Sequence, residues 1–108
     1  MTTKILPPES TGITIGPLII VKEKQVVFIN NRELIFTRKE FEILYFLASN
    51  PGKVFSREML LKEIWGSWIY VVERTIDVHI RKIREKLESH ANLIETIKGS
   101  GYRFKSVK

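Results

Sequence analysis

Hydrophobic residues change their spacing along this 108-residue chain, and the change predicts the order of its elements. Between residues 13 and 36, β-branched and aromatic residues are interrupted by short polar or glycine-containing breaks, which is typical of antiparallel strands. From 37 to 88, apolar residues recur every three or four positions, which is typical of amphipathic helices. Two short apolar runs around a glycine-containing loop follow. In the first region, strands are expected near 13–15, 18–22, 25–29 and 32–36.

Turn signals delimit this first region. Residues 1–12, which include Pro7-Pro8, are expected to be a flexible leader or the end of a linker, so that one domain spans 13–108. Asn30-Asn31 separates the last two strands. Because asparagine tolerates positive φ, this pair suits a two-residue hairpin turn. The region is therefore predicted to form a small four-stranded antiparallel sheet.

Two helices are predicted from their end signals. Thr37 is expected to cap the first, and Glu40 three residues later completes a capping box. Ser56 is expected to cap the second, which Gly66 ends. The eight residues 66–73 then form a connection that is long for two helices packed as a simple hairpin.

The third helix, predicted over about 73–88, has two chemically distinct faces. At about 100° per residue, four apolar side chains cluster on one side and are expected to be buried. The predicted buried residues are Ile76, Ile80, Ile83 and Leu87. The opposite side and its flanks carry Arg74, Val78, Arg81, Glu85, Lys82 and Arg84.

A β-hairpin is predicted after the third helix. Leu93–Ile97 and Tyr102–Lys105 have the composition of strands, and the glycines of Lys98–Gly101 permit a tight connection between them. Three helices followed by a hairpin form a winged helix-turn-helix layout, in which the third helix can enter a major groove. The predicted fold class is therefore α+β.

Composition and charge restrict the function. Cysteine is absent, which excludes disulfides, thiol catalysis and thiolate zinc sites. No apolar run approaches the roughly 18 residues of a membrane helix, and the first residues lack the apolar segment of a secretory signal, so a cytoplasmic location is expected. The net charge is +6, of which residues 1–73 contribute +1 and residues 74–108 contribute +5. A localised basic surface of this kind suits nucleic acid, although acidic proteins and anionic membranes could use it too.

Candidate catalytic and ligand-binding groups do not form a recognisable site. Gly99-Ser-Gly101 lacks the third glycine of a dinucleotide fingerprint, and a strand rather than a helix is expected after it. His79 and His90 are eleven residues apart with no carboxylate cluster, and no serine accompanies Asp77 and His79 as a nucleophile. We expect no enzyme activity, metal or cofactor, and interpret Asp77 as a polar contact or a helix N-terminal charge.

The polar face of the third helix has a chemistry that suits DNA. Arginine can form bidentate hydrogen bonds with guanine or phosphate, and the exposed Val78 could contact a thymine methyl group. An ordinary solvated face is the simpler interpretation of such a helix. The adjoining hairpin favours DNA, because it adds Lys98, Arg103 and Lys105, and its loop could reach a minor groove or the phosphates.

Four blocks of sequence, in this order, resemble the effector domain of OmpR/PhoB-type bacterial response regulators, and the resemblance covers roughly residues 13–105. The blocks are Leu34-Ile-Phe-Thr-Arg-Lys-Glu-Phe-Glu-Ile-Leu, Val54-Phe-Ser-Arg-Glu-Met-Leu-Leu with Ile64-Trp-Gly, Arg74-Thr-Ile-Asp-Val-His-Ile-Arg-Lys-Ile-Arg-Glu-Lys-Leu, and Lys98-Gly-Ser-Gly-Tyr-Arg-Phe. The resemblance implies sequence-specific binding of double-stranded DNA and regulation of transcription in a two-component system. It also implies that the third helix lies in the major groove and the hairpin, or wing, at the minor groove.

The resemblance also implies which residues make the contacts. The expected DNA-binding residues are Trp65, Arg74, Thr75, Val78, His79, Arg81, Lys82, Arg84, Thr96, Lys98, Gly99 and Tyr102. The connection between the second and third helices corresponds to a segment that engages RNA polymerase. This expected polymerase-contact loop comprises Ser67, Trp68, Ile69, Tyr70, Val71, Val72 and Glu73.

The same resemblance implies an N-terminal receiver domain in a full-length protein, binding to direct-repeat DNA sites, and an isolated effector domain that is mostly monomeric. A winged-helix module that binds an acidic protein is the alternative function. Its basic face would meet that protein, and Trp68 and Tyr70 would anchor it.

Overall fold

The computed structural model describes residues 12–66 and 71–106. It confirms the predicted α+β architecture: a four-stranded antiparallel sheet, three helices and a C-terminal hairpin. The strands are β1 (Gly12–Ile15), β2 (Leu18–Val21), β3 (Val26–Ile29), β4 (Arg32–Leu34), β5 (Ile94–Ile97) and β6 (Gly101–Phe104). The helices are α1 (Arg38–Ala48), α2 (Arg57–Trp65) and α3 (Arg74–Leu87), and a 3-10 helix spans Glu88–Leu93.

The N-terminal sheet is a meander in the order β1-β2-β3-β4. Asn30 and Asn31 have φ values of 52° and 66°, which confirms the predicted turn of two left-handed residues. One boundary of this sheet differs from the prediction by two residues, since β4 ends at Leu34 rather than at 36. The start of β1, the end of β2 and the start of β3 each differ by one residue. Ile35 beyond β4 is 78% exposed, because the chain leaves the sheet there to enter α1.

The predicted helix ends are confirmed. The Thr37 hydroxyl accepts a hydrogen bond from the Glu40 N–H, and the Glu40 carboxylate accepts one from the Thr37 N–H, which is a complete capping box. The Ser56 hydroxyl caps α2 by accepting from the Met59 N–H. Gly66 ends α2 with a φ of 90°, a value that glycine adopts without a steric penalty.

The amphipathic pattern of α3 is confirmed residue by residue. Ile76, Ile80, Ile83 and Leu87 are each at most 1% exposed and belong to the main hydrophobic core. The helix is one residue shorter at each end than predicted. The 3-10 helix after it was not predicted; it leads the chain from α3 directly into β5.

The hairpin of β5 and β6 is part of the core. Ile94 and Phe104 are 2% and 0% exposed, and Tyr102 pairs with Phe55 through two backbone hydrogen bonds of 2.8 and 2.9 Å. The strands differ from the prediction by one residue: β5 begins at Ile94, and β6 runs from Gly101, which pairs with Ile97 across the turn, to Phe104. The hairpin is therefore fixed at its base, while its turn at 98–100 is exposed.

A partly buried ion pair joins α1 to α3. The Lys86 Nζ donates to the Glu40 carboxylate at 2.6 Å, and the Glu40 side chain is only 3% exposed. Burial, the largest single effect, acts to raise the pKa of Glu40. The hydrogen bonds from Lys86 and from the Thr37 N–H, together with the Lys86 charge, outweigh it and hold the pKa below its usual value.

This pair predicts a pH-dependent stability. Because the folded-state pKa of Glu40 is lowered, its stabilisation is present above the unfolded-state pKa and is lost as the pH falls through the folded-state value. We expect Glu40→Gln to lower the free energy of unfolding by about 1–3 kcal/mol at neutral pH and by less in acid. Urea unfolding at a series of pH values measures this difference.

Glu42→Gln is the matched control for Glu40→Gln. Glu42 lies on the same helix and forms only looser pairs, at 3.4 Å, with Arg38 and Lys39. Its replacement should cost less than about 1 kcal/mol. Equal losses for the two variants, or a Glu40→Gln loss that does not shrink in acid, would contradict the role given to Glu40.

Within the residues that the structure describes, no helix is long and apolar enough to cross a membrane.

Candidate nucleic-acid interface

The outer face of α3 is exposed as predicted. Arg74, Arg81 and Lys82 are exposed, and the apolar Val78 among them is 39% exposed. Arg81 lies 3.8 Å from Glu85, and the two side chains are 74% and 66% exposed. Such a surface pair is worth little, so Arg81 can exchange it for another anionic partner. This face can therefore present positive charge and one apolar group to a ligand.

The beginning of α3 packs against the end of α2 through aromatic groups. The rings of Trp65 and His79 lie 5.1 Å apart in an edge-on arrangement, and the Lys39 ammonium lies 5.3 Å from the Trp65 ring centre. His79 Nδ1 is 2.8 Å from the Thr75 carbonyl oxygen. Since a carbonyl only accepts, Nδ1 carries the hydrogen and Nε2 is left for another partner. Trp65, Thr75 and His79 are all half-buried, so only part of each is accessible.

The hairpin turn projects an exposed cation. Lys98 and Gly99 are both exposed, and the turn is closed by a 2.8 Å hydrogen bond from the Ser100 N–H to the Ile97 carbonyl. A cleft of about 410 Å³ separates this turn from the N-terminal ends of α2 and α3. Elsewhere on the hairpin, Arg103 is paired with Glu95 at 2.6 Å. Lys98 is thus the cation that the hairpin presents at its tip.

Three of the expected DNA-binding residues, Arg84, Thr96 and Tyr102, form hydrogen bonds between α3 and the hairpin. Arg84 donates to the Ile94 carbonyl through Nε and Nη2, at 3.1 and 2.8 Å, and through Nη2 to the Thr96 hydroxyl at 2.7 Å. The Arg84 guanidinium also lies 5.7 Å from the Tyr102 ring centre. Tyr102 is only 9% exposed. The structure places Arg84 and Tyr102 between α3 and the hairpin rather than on the open face.

Asp77 and Arg57 complete this contact region. The Tyr102 hydroxyl donates to Asp77 Oδ1 at 2.6 Å, and Arg57 donates to Asp77 Oδ2 at 3.0 Å. Burial and the neighbouring Asp77 raise the pKa of Tyr102 to about 12, so the hydroxyl stays protonated. The interpretation of Asp77 as a polar contact is confirmed. Arg57 was missed, because its partner lies twenty residues away and no sequence pattern links them.

The connection between α2 and α3 is described only in part. The expected polymerase-contact residues Ser67, Trp68, Ile69 and Tyr70 lie outside the described residues. Val71 is half-buried, Val72 is 68% exposed, and Glu73 lies 3.9 Å from Arg57. In the parts that are described, 12–66 and 71–106, no group of three or more His, Asp or Glu side chains could hold a metal ion.

This arrangement agrees with known proteins. The family model "Transcriptional regulatory protein, C terminal" matches residues 31–104, which include all three helices and the hairpin. The chain belongs to this family. The chain is 48% identical over 67 residues to the phosphate regulon transcriptional regulatory protein PhoB of Escherichia coli. This agrees with the OmpR/PhoB resemblance of its sequence. That match covers 60% of this chain and 29% of PhoB, so the chain spans less than a third of this relative's length.

Solved structures of the family share the fold. The response regulator DrrB of Thermotoga maritima, an OmpR/PhoB homologue, superposes with a TM-score of 0.80 at 39% identity, over 88% of this chain and 44% of that one. The RstA DNA-binding domain of Klebsiella pneumoniae, in complex with the RstA box, superposes with a TM-score of 0.78 at 29% identity, over 87% and 96% of the two chains. The effector fold of the family is therefore established for this chain.

Proposed function

We propose that this chain binds double-stranded DNA sequence-specifically and regulates transcription as the output domain of a two-component response regulator. In this proposal α3 enters a major groove and the turn between β5 and β6 lies at the adjacent minor groove. Family membership supports the proposal, and so does the RstA domain, which was crystallised with its DNA box. No catalytic step is assigned to the chain.

The exposed face of α3 is the observation that carries the proposal. Arg74, Val78, Arg81 and Lys82 are exposed on the side opposite the buried isoleucines. Arginine supplies bidentate donors for guanine, and an apolar group can contact a thymine methyl. Lys98 adds a cation on the neighbouring hairpin, in a position that suits a phosphate or the minor groove.

Further properties of the full-length protein are proposed on the family relationship. They are an N-terminal receiver domain, direct-repeat DNA sites, contact with RNA polymerase through the connection between α2 and α3, a monomeric isolated domain and a cytoplasmic location. Size-exclusion chromatography with light scattering tests the monomeric state of this chain. A reconstituted transcription assay with variants of the exposed Val72 tests the polymerase contact.

A titration of duplex DNA tests the proposed function. A fluorescent duplex of mixed sequence should bind with an affinity that falls steeply as salt is raised, because each phosphate contact releases counterions. Selection from a randomised duplex pool should then enrich one sequence that binds more tightly. Binding that is absent or insensitive to salt would contradict the proposal and favour a module that binds an acidic protein.

Arg81→Ala should weaken binding of the selected duplex by about 1–3 kcal/mol, the usual loss when a bidentate base contact is removed. The melting temperature should stay unchanged, because the side chain is 74% exposed. Arg38→Ala is the matched control, since Arg38 is 78% exposed on α1 and is likewise paired with a glutamate four residues on. Equal losses of affinity for both variants would show that Arg81 acts only through net charge.

A further inference from the structure

Two polar side chains on one flank of α3 face the hairpin. Asp77 and Arg84 are seven residues apart, and seven residues are close to two full helical turns, so both lie on the same side of the helix. Asp77 Oδ1 accepts a hydrogen bond of 2.6 Å from the hydroxyl of Tyr102 on β6. Arg84 donates to the Ile94 carbonyl and the Thr96 hydroxyl, both on β5. The two side chains therefore bond to both strands of the hairpin.

The direction of these hydrogen bonds decides what the groups can offer to DNA. A phosphate oxygen only accepts, so a protein group that binds it must donate. The single hydrogen of the Tyr102 hydroxyl is already donated to the Asp77 carboxylate. The Nε and Nη2 of Arg84 are directed at β5, so that only its Nη1 keeps hydrogens for an outside acceptor. The Thr96 hydroxyl, by contrast, accepts from Arg84 and keeps its own hydrogen for an outside acceptor.

We propose that Arg84, Asp77 and Tyr102 are positioning residues: they fix the hairpin against α3, so that Lys98 and the Thr96 hydroxyl reach the DNA while α3 occupies its groove. This inference rests on the proposed DNA binding and deepens it, because it gives Arg84 and Tyr102 a role that does not depend on direct contact with DNA. Arg57 extends the arrangement, since it binds the second oxygen of Asp77 at 3.0 Å and so ties α2 to the same point.

The positions of the charges explain why such a fixation matters. Lys98 lies in the exposed turn, whereas the contact of Tyr102 with Phe55 lies four residues further on, at the buried base of the hairpin. Phosphate contacts fix the register and orientation of a protein on the duplex, so the groups that make them must be held in place. A hairpin that can tilt relative to α3 would have to be ordered on binding, and this ordering would cost affinity.

A double-mutant cycle tests the positioning role. Lys98→Ala is combined with Tyr102→Phe and, separately, with Arg84→Met, and binding to the selected duplex is measured at several salt concentrations. In the unmodified chain, Lys98→Ala should reduce the slope of log affinity against log salt by about 0.9, the value of one phosphate contact. In the Tyr102→Phe and Arg84→Met backgrounds the same substitution should change the slope and the affinity much less. Tyr102→Phe keeps the aromatic ring in the core and removes only the hydroxyl.

Two controls separate positioning from general damage. Arg81→Ala should retain its full effect in both backgrounds, because Arg81 lies on the outer face of α3 and not on the flank that holds the hairpin. Asp77→Asn should preserve the Lys98 effect, since the amide oxygen can still accept the Tyr102 hydroxyl, whereas Asp77→Ala should remove it. Circular dichroism establishes that each variant is folded at the temperature of the binding measurement; if Arg84→Met is not, the Tyr102→Phe cycle decides.

Independent effects would overturn the inference. If the fold-changes of Lys98→Ala and Tyr102→Phe multiply to within about two-fold, the hydroxyl acts on its own and the hairpin needs no fixation. An unchanged affinity in Tyr102→Phe, again to within about two-fold, would overturn it as well. Failure of the unmodified chain to bind any duplex is a different result, because it would overturn the proposed function itself.

Discussion

Ile80→Ala is expected to lower the free energy of unfolding by about 2–5 kcal/mol, the range measured for large-to-small substitutions in packed cores. Ile80 is 1% exposed, and α3 packs against both α1 and α2 at the centre of the domain. Removal of its terminal carbon atoms would leave a cavity that three rigid elements cannot close. Urea unfolding monitored by circular dichroism measures the loss, which is large for a domain of this size.

Val78→Ala is the matched control for Ile80→Ala. Val78 lies on the same helix, two residues earlier, but on the outer face, where it is 39% exposed. Its replacement should change the free energy of unfolding by no more than about 0.5 kcal/mol. A loss for Val78→Ala that equals the loss for Ile80→Ala would mean that α3 is rotated relative to the structure described above.

Those parts of the fold that depend on neighbouring residues could be predicted from the sequence. The buried face of α3 follows from helical periodicity, and the Thr37 capping box and the Asn30-Asn31 turn follow from side chains that bond to their own backbone. The 3-10 helix at Glu88–Leu93 escaped prediction, because a single irregular segment has no period. The end of β4 was also misplaced, since an apolar residue such as Ile35 continues the strand pattern although it lies outside the core.

The candidate site could be predicted only in outline for a physical reason. Exposure of Arg81 and Lys98 follows from the period of α3 and from the loop composition, and both are exposed in the structure. The partners of Arg84 and Tyr102 depend on how the hairpin docks on α3, which is a tertiary contact between segments ten to twenty-five residues apart. A resemblance transfers the position of a residue, but it does not state whether the donor there faces DNA or another part of the protein.

Gly101→Ala is expected to lower the free energy of unfolding by about 3 kcal/mol or more, from a steric clash and backbone strain together. A Cβ at Gly101 would stand 2.0 Å from the Phe55 carbonyl oxygen and 2.8 Å from the Ser56 Cα, both backbone atoms that cannot rotate away. Gly101 also has a φ of 138°, a backbone conformation that residues with a side chain rarely adopt. The substitution should therefore separate the hairpin from the segment before α2, with a large drop in melting temperature.

Gly99→Ala isolates the clash from the strain, because Gly99 lies in the hairpin turn two residues before Gly101 and has the strain without the clash. Its φ of 81° is also positive, but a Cβ there would have no atom within 4 Å. Gly99→Ala should lower the free energy of unfolding by only about 1–2 kcal/mol, the usual penalty for a residue other than glycine in the left-handed conformation. Equal melting temperatures for the two variants would show that the hairpin moves freely away from Phe55. If Gly101→Ala is the more severe, as expected, the close approach of β6 to the residue before the α2 cap is what fixes the base of the hairpin, and hence the point from which Lys98 projects.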